Sequence, residues 1–391
     1  MIRRTLEPQL LRAASRMPAV AVTGPRQSGK TTLCRATFPD HRYVSLEPLD
    51  VRAFAEEDPR GFLREHRAGT VLDEVQRTPS LFSYLQEELD RDPTPGRFVL
   101  TGSQQFDLAA AITQSLAGRI ALLHLLPLTL EEIRRFPTPA EDLWTTVWTG
   151  GYPRIYDRQL DPGQWIADYV ATYVQRDVRQ IVRVVDLNTF ATFLRLLAGR
   201  TSQLENLSSL GGDAGVTHPT VRAWLSVLEA SFVVFRLPRW QRNLRKRAVK
   251  AAKLHFVDSG VVCHLLGIRE PAQLRVHPLR GAIFESWAAS EILKARHHRG
   301  RPVDLYHVRE DRGIELDIVA EKADRVIGVE VKSGATVASD FLVPLRDFAD
   351  RAGAELPHLD TLLRLIHGGA DAGLRHGVEL VPWTRIQDVE W

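Results

Sequence analysis

Cysteine is scarce in this sequence, which contains only Cys34 and Cys263 among 391 residues. Two cysteines cannot build a disulfide framework or a cysteine-based zinc site, and they suit a reducing compartment. The sequence also lacks an apolar run of the roughly 18 residues that a membrane-spanning helix needs. Its N-terminus starts basic but has no apolar core of the kind found in signal peptides. These absences argue against disulfide-rich secreted proteins and integral membrane proteins, and we expect a cytoplasmic protein with no membrane partner.

Internal repeats and low-complexity tracts are also absent. Apolar residues make up 44% of the chain and charged residues 25%, which is ordinary for a globular protein. At about 100–200 residues per domain, the length corresponds to two to four domains. The formal net charge is only +3, so a nucleic-acid-binding surface would have to appear as a local cluster of basic residues.

The first third of the chain alternates short apolar segments with amphipathic ones, which is typical of a parallel sheet with crossover helices. The predicted strands are 19–24, 41–47, 69–74, 97–103 and 120–128, and the predicted helices are 30–37, 51–66, 79–91 and 105–117. Several of the strands are apolar without alternation, as strands covered on both faces should be. The predicted fold class is therefore α/β, with a five-stranded domain over 1–135, a helical segment over 136–192, a middle domain over 193–267 and a second α/β domain over 268–391.

A phosphate-binding pattern, G-x-x-x-x-G-K-[ST], occurs as GPRQSGKT at Gly24–Thr31, between a predicted strand and a predicted helix. Its glycines let the backbone curl so that N–H groups and a helix N-terminus face the phosphates. Lys30 would reach the β- and γ-phosphates, and the Thr31 hydroxyl would bind Mg²⁺. The residues expected to bind the nucleotide are Gly24, Pro25, Arg26, Gln27, Ser28, Gly29, Lys30, Thr31 and Thr32.

An acidic pair, Asp73 and Glu74, closes the third predicted strand. Downstream of a phosphate loop, such a pair is typical of the second half of an ATPase site. Asp73 would hold Mg²⁺ directly or through water. Glu74 would act as the general base that polarises the attacking water. The pair therefore predicts ATP hydrolysis in addition to ATP binding.

Two further polar residues have two interpretations each. Ser103, at the end of the fourth predicted strand, could hydrogen-bond the γ-phosphate or the attacking water, or it could cap the helix that follows. Arg119, just before the fifth strand, could point into the site of a neighbouring subunit and stabilise transition-state charge. It could equally lie solvated on the surface, and spacing alone does not decide between the two.

Six segments together resemble one known family. They read GPRQSGKTTL, LDEVQRTPSLFSYLQEELD, GRFVLTGSQQF, SLAGR, LLPLTLEE and GGYP. They resemble the AAA-type ATPases of bacteria and archaea, and in particular the family in which such an ATPase carries a C-terminal conserved domain of unknown function. The resemblance covers nearly the whole chain. It implies ATP and Mg²⁺ as cofactors, a sensor role for Ser103, an arginine-finger role for Arg119 and a helical lid in which Arg154 is a candidate second sensor. The Walker roles fall to Lys30, Thr31, Asp73 and Glu74.

The middle of the chain has the rhythm of a winged helix, with a helix over 203–210, a glycine-bearing turn, a second helix capped by Thr217 and two extended runs. No acidic residue occurs from Ser231 to Phe256, and Trp240 lies among basic residues. Basic residues beside an aromatic one suit contact with a nucleic-acid backbone, so DNA is an expected partner. A solvated loop, or one that docks an acidic partner or the chain's own ATPase domain, stays open. The basic residues are Arg236, Arg239, Arg242, Arg245, Lys246, Arg247, Lys250 and Lys253.

Charged residues on the last predicted helix and strands resemble the PD-(D/E)xK nuclease core. Glu285 lies on a helix, Asp317 on a strand, and Glu330 and Lys332 lie two residues apart on one face of the next strand. The resemblance implies that Asp317, Glu330 and Glu285 bind a divalent metal. It also implies that Lys332 orients or deprotonates the attacking water, and Glu315 could contribute from the strand face of Asp317. The same residues could instead be structural pairs in a fold that has lost catalysis.

Histidine supplies no comparable site. His297 and His298 are adjacent on a predicted helix, so their side chains point apart. We expect them at a solvated helix end rather than on a metal ion.

Two classes of function remain open. The first is a magnesium-dependent ATPase whose nucleotide state repositions the winged-helix and nuclease-like domains on DNA. The second is a binding module in which ATP switches assembly with a protein partner, while the C-terminal domain is a non-catalytic docking unit. Glu74 and Arg119 favour the enzyme, because a pure switch needs neither. A finger that acts between subunits would also require a homo-oligomer.

Overall fold

A computed structural model of the chain describes residues 2–67, 69–102, 116–140, 142–174, 187–240, 251–309 and 315–391. The chain divides into two compact units. The first comprises Met1–Pro127, Ala230–Phe232 and His297–Arg301, and the second comprises Leu128–Glu229, Val233–Arg296 and Pro302–Trp391. No helix within the described ranges is both long enough and apolar enough to cross a membrane.

The first unit is built on five parallel strands. They are β1 Ala19–Thr23, β2 Arg42–Ser45, β3 Thr70–Asp73, β4 Phe98–Gly102 and β5 Ile120–His124, and their order in the sheet is β2-β3-β4-β1-β5. The helices are α1 Glu7–Ala14, α2 Lys30–Thr37, α3 Leu49–Glu57, α4 Pro59–Glu65 and α5 Leu81–Arg91, with a 3-10 turn at Val75–Arg77. The five predicted strands and the parallel α/β architecture are confirmed.

The helix predicted over 51–66 is two helices. Asp58 caps α4 by accepting a hydrogen bond from the Gly61 N–H at 2.8 Å. A residue that precedes proline is disfavoured in the helical region, and Asp58 has a φ of −132°. The helix α3 therefore ends before Asp58, and α4 begins at Pro59. The helix predicted over 105–117 lies almost entirely outside the described residues.

Alternate residues of the interior strand β1 face opposite sides of the sheet. Ala19 and Ala21 belong to the buried cluster that α3, α4 and α5 complete. Val20 and Val22 belong to the cluster that α1 and α2 complete on the other side. Both faces are covered, which explains why these strands read as continuous apolar runs. In such a sheet, ligands bind at the carboxyl ends of the strands.

The second unit opens with the short helices α6 Leu130–Ile133, α7 Leu143–Thr149, α8 Pro153–Arg158 and α9 Pro162–Tyr169. The elements that follow are α10 Leu187–Ala198, β6 Gln203–Leu204, α11 Leu207–Ala214, α12 His218–Ala230, β7 Val234–Leu237 and β8 Lys253–Phe256. The three strands form an antiparallel sheet in the order β6-β8-β7. The apolar side chains of α12 are buried, namely those of Val221, Trp224, Leu225 and Leu228.

The last part of the second unit begins with α13 Ser259–Leu265, α14 Pro271–Val276 and α15 Arg280–His298. Its strands are β9 Leu305–Arg309, β10 Glu315–Glu321, β11 Arg325–Lys332, β12 Asp360–His367, β13 Gly373–Arg375 and β14 Val378–Pro382, and α16 Val343–Glu355 lies between β11 and β12. They form a mixed sheet in the order β13-β14-β12-β11-β10-β9, in which β11, β12 and β14 are parallel. This sheet has its own buried cluster, so the prediction of strands around a second core is confirmed.

The histidines at the end of α15 are not solvated. His298 is fully buried, and its Nε2 accepts a hydrogen bond from the Leu126 N–H at 3.1 Å. The ring of His297 packs edge-on against His124, with the ring centroids 5.0 Å apart. Burial lowers the pKa of His297 to about 3, and the neighbouring histidines add to the shift. The prediction of a solvated helix end is wrong, because this end of the helix packs within the first unit.

Candidate functional site

The loop between β1 and α2 adopts the curled backbone that its glycines permit. Gly24 has a φ of +147°, and a Cβ at this position would lie 2.1 Å from the carbonyl oxygen of Leu125, so only glycine fits. Gly29 has a φ of +93° and is the N-cap of α2. The loop therefore places Lys30 at a helix N-terminus, where backbone N–H groups are free to bind anions.

Lys30 is the buried cation of this loop. Its Nζ donates to the carbonyl oxygens of Gly24 at 3.0 Å and Pro25 at 2.8 Å. Burial lowers the pKa of Lys30 to about 8, although the carboxylates of Glu74 and Asp73 oppose the shift. Charges interact more strongly where water is excluded. This ammonium is therefore an effective partner for a polyanion.

Asp73, at the end of β3, receives three hydroxyl donors. Thr31 donates from Oγ1 at 2.9 Å and Tyr43 from its phenol oxygen at 2.7 Å. The hydroxyl of Thr101 donates to the other carboxylate oxygen. Burial raises the pKa of Tyr43 to about 12, and the hydrogen bond to Asp73 adds to the shift. Tyr43 and Thr101 lie on β2 and β4, which flank β3, and neither was predicted from the sequence.

The pair formed by Thr31 and Asp73 fits a magnesium site. Hydroxyl and carboxylate oxygens are the hard ligands that Mg²⁺ prefers. Thr31 Oγ1 and Asp73 Oδ2 are 2.9 Å apart, so the two predicted ligands lie side by side.

Glu74 follows Asp73 in a left-handed backbone conformation, with a φ of +56°. This conformation is uncommon outside glycine, and strain of this kind clusters at active sites. The Gln76 side-chain amide donates to the Glu74 carboxylate. Among the neighbouring charges, Glu74 opposes the lowering of the Lys30 pKa most strongly. The Glu74 carboxylate is thus oriented by Gln76 and lies in the electrostatic field of the Lys30 ammonium. A general base needs such a fixed position.

Three further residues were predicted to act at this site, namely Ser103, Arg119 and Arg154. Ser103 lies outside the described residues. Arg119 donates from Nε and Nη2 to the two carboxylate oxygens of Asp90, at 2.5 and 2.9 Å. Arg154 is exposed on α8. The ion pair of Arg119 matches the surface interpretation, and a role toward another subunit would require this pair to open.

Arg4 supports the phosphate loop and was missed by the sequence analysis. Arg4 is 6% exposed, and its guanidinium donates to the carbonyl oxygens of Ser28 at 2.7 Å and Leu126 at 2.8 Å. It thereby ties the phosphate loop to the segment that follows β5. An isolated arginine near the N-terminus belongs to no local pattern, so no sequence signal pointed to it.

The basic stretch of the middle domain is described only in part, because 241–250 lie outside the described residues. Arg236 pairs with Glu205 at 2.9 Å. Trp240 is 3% exposed, and its Nε1 donates to Glu321 at 2.7 Å. The Trp240 ring packs in the buried cluster of the C-terminal sheet, so it does not add an exposed aromatic surface to the basic residues.

Lys253, predicted to be part of the same basic surface, is buried against the acidic residues of the C-terminal domain. Its Nζ lies 2.5 Å from Glu285 Oε1 and 2.9 Å from Asp317 Oδ1. Lys332 Nζ donates to Glu330 Oε1 at 2.5 Å. Burial alone would lower the pKa of Lys332, but the carboxylates of Glu330, Asp317 and Glu285 raise it. The four residues predicted for this site therefore converge, with Lys253 as an unpredicted fifth member.

The acidic cluster does not have the form of the predicted metal site. Burial raises the pKa of Glu285 to about 8, and Asp317 adds to the shift while Lys253 opposes it. Burial, followed by the charge of Asp317, also raises the pKa of Glu330. Within the described ranges, no group of three or more His, Cys, Asp or Glu side chains is arranged to hold a metal ion. Metal binding by Glu285, Asp317 and Glu330 stays a prediction, and in this structure the Lys253 ammonium lies between the carboxylates of Glu285 and Asp317.

The chain is similar to known proteins along most of its length. Residues 16–134 match the AAA domain family, 140–272 match a domain of unknown function (DUF8612) and 280–386 match another (DUF4143). Two uncharacterized proteins, from Mycobacterium bovis and Mycobacterium tuberculosis, are each 32% identical over 339 residues, which is 85% of this chain and 74% of theirs. A solved structure, the Walker-type ATPase of Pyrococcus abyssi, is 15% identical with a TM-score of 0.45 and covers 66% of this chain and 94% of its own.

Proposed function

We propose that this chain, which belongs to the family of AAA-type ATPases with a C-terminal domain of unknown function (DUF4143), hydrolyses ATP. The proposed site of hydrolysis, which uses Mg²⁺, lies at the carboxyl ends of β1 and β3. The observation that carries the proposal is the contact of Thr31 with Asp73 at 2.9 Å, beside the buried ammonium of Lys30. One end of the sheet thus offers a counter-charge for phosphates, oxygen ligands for Mg²⁺ and the carboxylate of Glu74.

Each residue has one task in this proposal. Thr31 and Asp73 would hold Mg²⁺, which when bound would supply positive charge beside the phosphate oxygens. Lys30 neutralises the β- and γ-phosphates, and the N–H groups of the loop bind phosphate oxygens. Glu74, oriented by Gln76, accepts the proton of the attacking water at its carboxylate.

The proposed activity is tested by phosphate release from ATP, with and without duplex or single-stranded DNA, at several salt concentrations. Magnesium-dependent release supports the ATPase. If DNA stimulates ATP turnover and the stimulation decreases as the salt concentration rises, the result supports contact between the protein and the phosphate backbone of DNA. Failure to release phosphate under any of these conditions contradicts the enzyme and favours a nucleotide-controlled switch.

The wider proposal is that the nucleotide state controls a DNA-binding winged helix and the nuclease-like domain. The order of α10, β6, α11, α12, β7 and β8 supports it, because helix, strand, two helices and two strands is the order of a winged helix. The placement of Glu285 on α15, Asp317 on β10, and Glu330 and Lys332 on β11 supports the nuclease-like part of the proposal. The basic residues between β7 and β8 supply the proposed contact with DNA phosphates.

Arg119 is proposed to act as an arginine finger between subunits of an oligomer. Arg119→Ala and Lys30→Ala should each be inactive, but mixing them should restore part of the activity, because one mixed interface joins an intact phosphate site to an intact finger. ATP turnover of the mixture is the measurement, and native mass spectrometry verifies mixed oligomers. The control is Arg91→Ala, since Arg91 is another exposed arginine with an ion pair, to Glu88 at 2.8 Å. Mixed oligomers without any recovered turnover contradict the role between subunits.

DNA binding is proposed to depend on the side chains of Arg245, Lys246 and Arg247, which would neutralise backbone phosphates and which lie outside the described residues. Replacing all three with glutamine should weaken binding to every sequence. It should also reduce the slope of log K against log salt by roughly 0.9 for each phosphate of duplex DNA that the variant no longer neutralises. The measurement is a salt series of binding isotherms. A matched control makes the same charge change at exposed positions of the first unit, Arg12, Arg16 and Arg64. An unchanged slope in the 245–247 variant moves the DNA-binding surface elsewhere.

A second function is favoured by one observation, the Lys253 ammonium within the acidic cluster. In this alternative the chain is an ATP-switched protein-interaction module, and its nuclease-like domain is an inactive docking unit. It predicts slow ATP turnover that DNA leaves unchanged. It also predicts a protein partner whose affinity differs between the ATP- and ADP-bound forms.

A further inference from the structure

We propose that the Lys253 ammonium is the resident cation of the C-terminal acidic cluster and that, by lying between Glu285 and Asp317, it closes the cluster to divalent metal ions. The cation comes from β8 in the middle of the chain, whereas the two carboxylates come from α15 and β10. The inference rests on the proposed function in one respect, namely that the C-terminal domain is nuclease-like. It does not depend on ATP hydrolysis.

The position of Lys253 is fixed by its strand. β8 is the central strand of its sheet, and Lys253 pairs with Leu204 on one side and Leu237 on the other. Lys253 is only 7% exposed. Its Nζ is 2.5 Å from Glu285 Oε1 and 2.9 Å from Asp317 Oδ1, the separations of charge-assisted contacts. The ammonium therefore bridges the two carboxylates from a backbone that is held on both sides.

Asp317 has both of its carboxylate oxygens engaged by donors of the chain. It lies where the pairing of β9 and β10 shifts register, between Leu316 and Val319. An irregularity of this kind re-aims a side chain. Asp317 Oδ1 accepts from Lys253, and Oδ2 accepts from the Val331 N–H at 2.9 Å. A metal ion at Oδ1 of this carboxylate would compete with the Lys253 ammonium for the same oxygen.

Glu330 provides the independent observation. Its Oε1 accepts from Lys332, but its buried Oε2 has no hydrogen-bond partner, and the residue is 5% exposed. A buried carboxylate oxygen without a donor is costly. The cluster sets three carboxyl groups against the ammonium groups of Lys253 and Lys332. A divalent ion in place of Lys253 would bring one more positive charge to these carboxyl groups and could bind the unpartnered oxygen.

An ammonium and a divalent ion cannot share this position, because like charges about 4 Å apart repel strongly in a buried site. Wild-type protein is therefore expected to show no divalent-ion binding that depends on Asp317. Removing the ammonium while keeping the carboxylates should create such binding.

The experiment is Mn²⁺ binding to the nucleotide-free whole chain, followed by electron paramagnetic resonance. Lys253→Met should bind one more Mn²⁺ than wild type. The double variant Lys253→Met/Asp317→Asn should lose that gain. The matched control is Lys322→Met, which removes a lysine paired with Glu390 at 2.8 Å elsewhere in the same unit and should match wild type.

Two results overturn the proposal. One is Mn²⁺ binding by wild type that Asp317→Asn abolishes. The other is a folded Lys253→Met that binds no additional ion, because Lys253 would then be a structural partner only. Circular dichroism verifies folding, and if Lys253→Met does not fold, the comparison of wild type with Asp317→Asn still decides. ATP hydrolysis is measured on the same proteins to separate this inference from the proposed function. If wild type does not hydrolyse ATP, the proposed function is contradicted, but the inference about Lys253 is not.

Discussion

Replacing Glu74 with glutamine is expected to lower the turnover number for ATP hydrolysis by about 10²- to 10⁴-fold, the range that general-base catalysis contributes, while ATP stays bound. Glutamine keeps the size of glutamate, and its side-chain oxygen can still accept the hydrogen bond from Gln76. It cannot take a proton from water. The contacts of Lys30, and of Thr31 with Asp73, are unchanged by this substitution.

Turnover and ATP affinity are measured on the same preparation of Glu74→Gln. Glu56→Gln is the matched control, since Glu56 is an exposed carboxylate of the same unit, on α3. The control should hydrolyse ATP at the wild-type rate. Wild-type turnover by Glu74→Gln contradicts the assignment of the general base, and loss of ATP binding would place Glu74 in nucleotide binding instead.

Replacing Lys30 with alanine is expected to weaken ATP affinity by at least about tenfold, because a hydrogen bond to a charged group contributes about 1.5–3 kcal/mol. Turnover should fall as well, since the same ammonium neutralises charge in the transition state. Isothermal titration with a non-hydrolysable ATP analogue measures affinity, and phosphate release measures turnover. Unchanged affinity contradicts the placement of the phosphates beside Lys30.

The pKa of Lys30, about 8, gives this prediction a second readout. In the free protein the amine loses its proton as pH rises through 8, so the ATP affinity of wild type should decline above that pH, and that of Lys30→Ala should not show this decline. The free energy of unfolding changes with pH in the opposite direction to the ATP affinity. The folded-state pKa lies below the usual 10.5, so the charge of Lys30 lowers the free energy of unfolding most at pH values below about 8. Loss of this charge in Lys30→Ala is therefore not expected to destabilise the protein at pH 7, which thermal unfolding checks.

The strands and the phosphate loop could be predicted because their signals are local. A buried parallel strand such as β1 reads as a continuous apolar run, and Gly24 to Thr31 form one uninterrupted pattern. The two helices around Asp58 show the limit of this reasoning. The helical spacing of apolar residues continues across Pro59, but the backbone of Asp58, which precedes this proline, is not helical.

Contacts between distant segments could not be predicted in the same way. Tyr43 and Thr101 donate to Asp73 because β2, β3 and β4 are neighbours in the sheet, and nothing close to either residue in the sequence indicates this. Lys253 is the sharper example. Counting charges along 231–256 assigns it to a solvated basic surface, whereas its ammonium is buried between Glu285 and Asp317. A run of like charge does not show which of its members have acidic partners elsewhere in the fold.

If ATP is bound and hydrolysed at the site of Lys30, Asp73 and Glu74, the nucleotide that stays on the protein should differ between wild type and the variants of these residues. Wild type and Glu74→Gln are incubated with ATP and Mg²⁺ and separated from free nucleotide, and the bound nucleotide is extracted and identified by chromatography. We expect ADP on wild type and intact ATP on Glu74→Gln, with little nucleotide of either kind on Lys30→Ala. ADP on Glu74→Gln in the same proportion as on wild type, or as much nucleotide on Lys30→Ala as on wild type, would contradict this expectation.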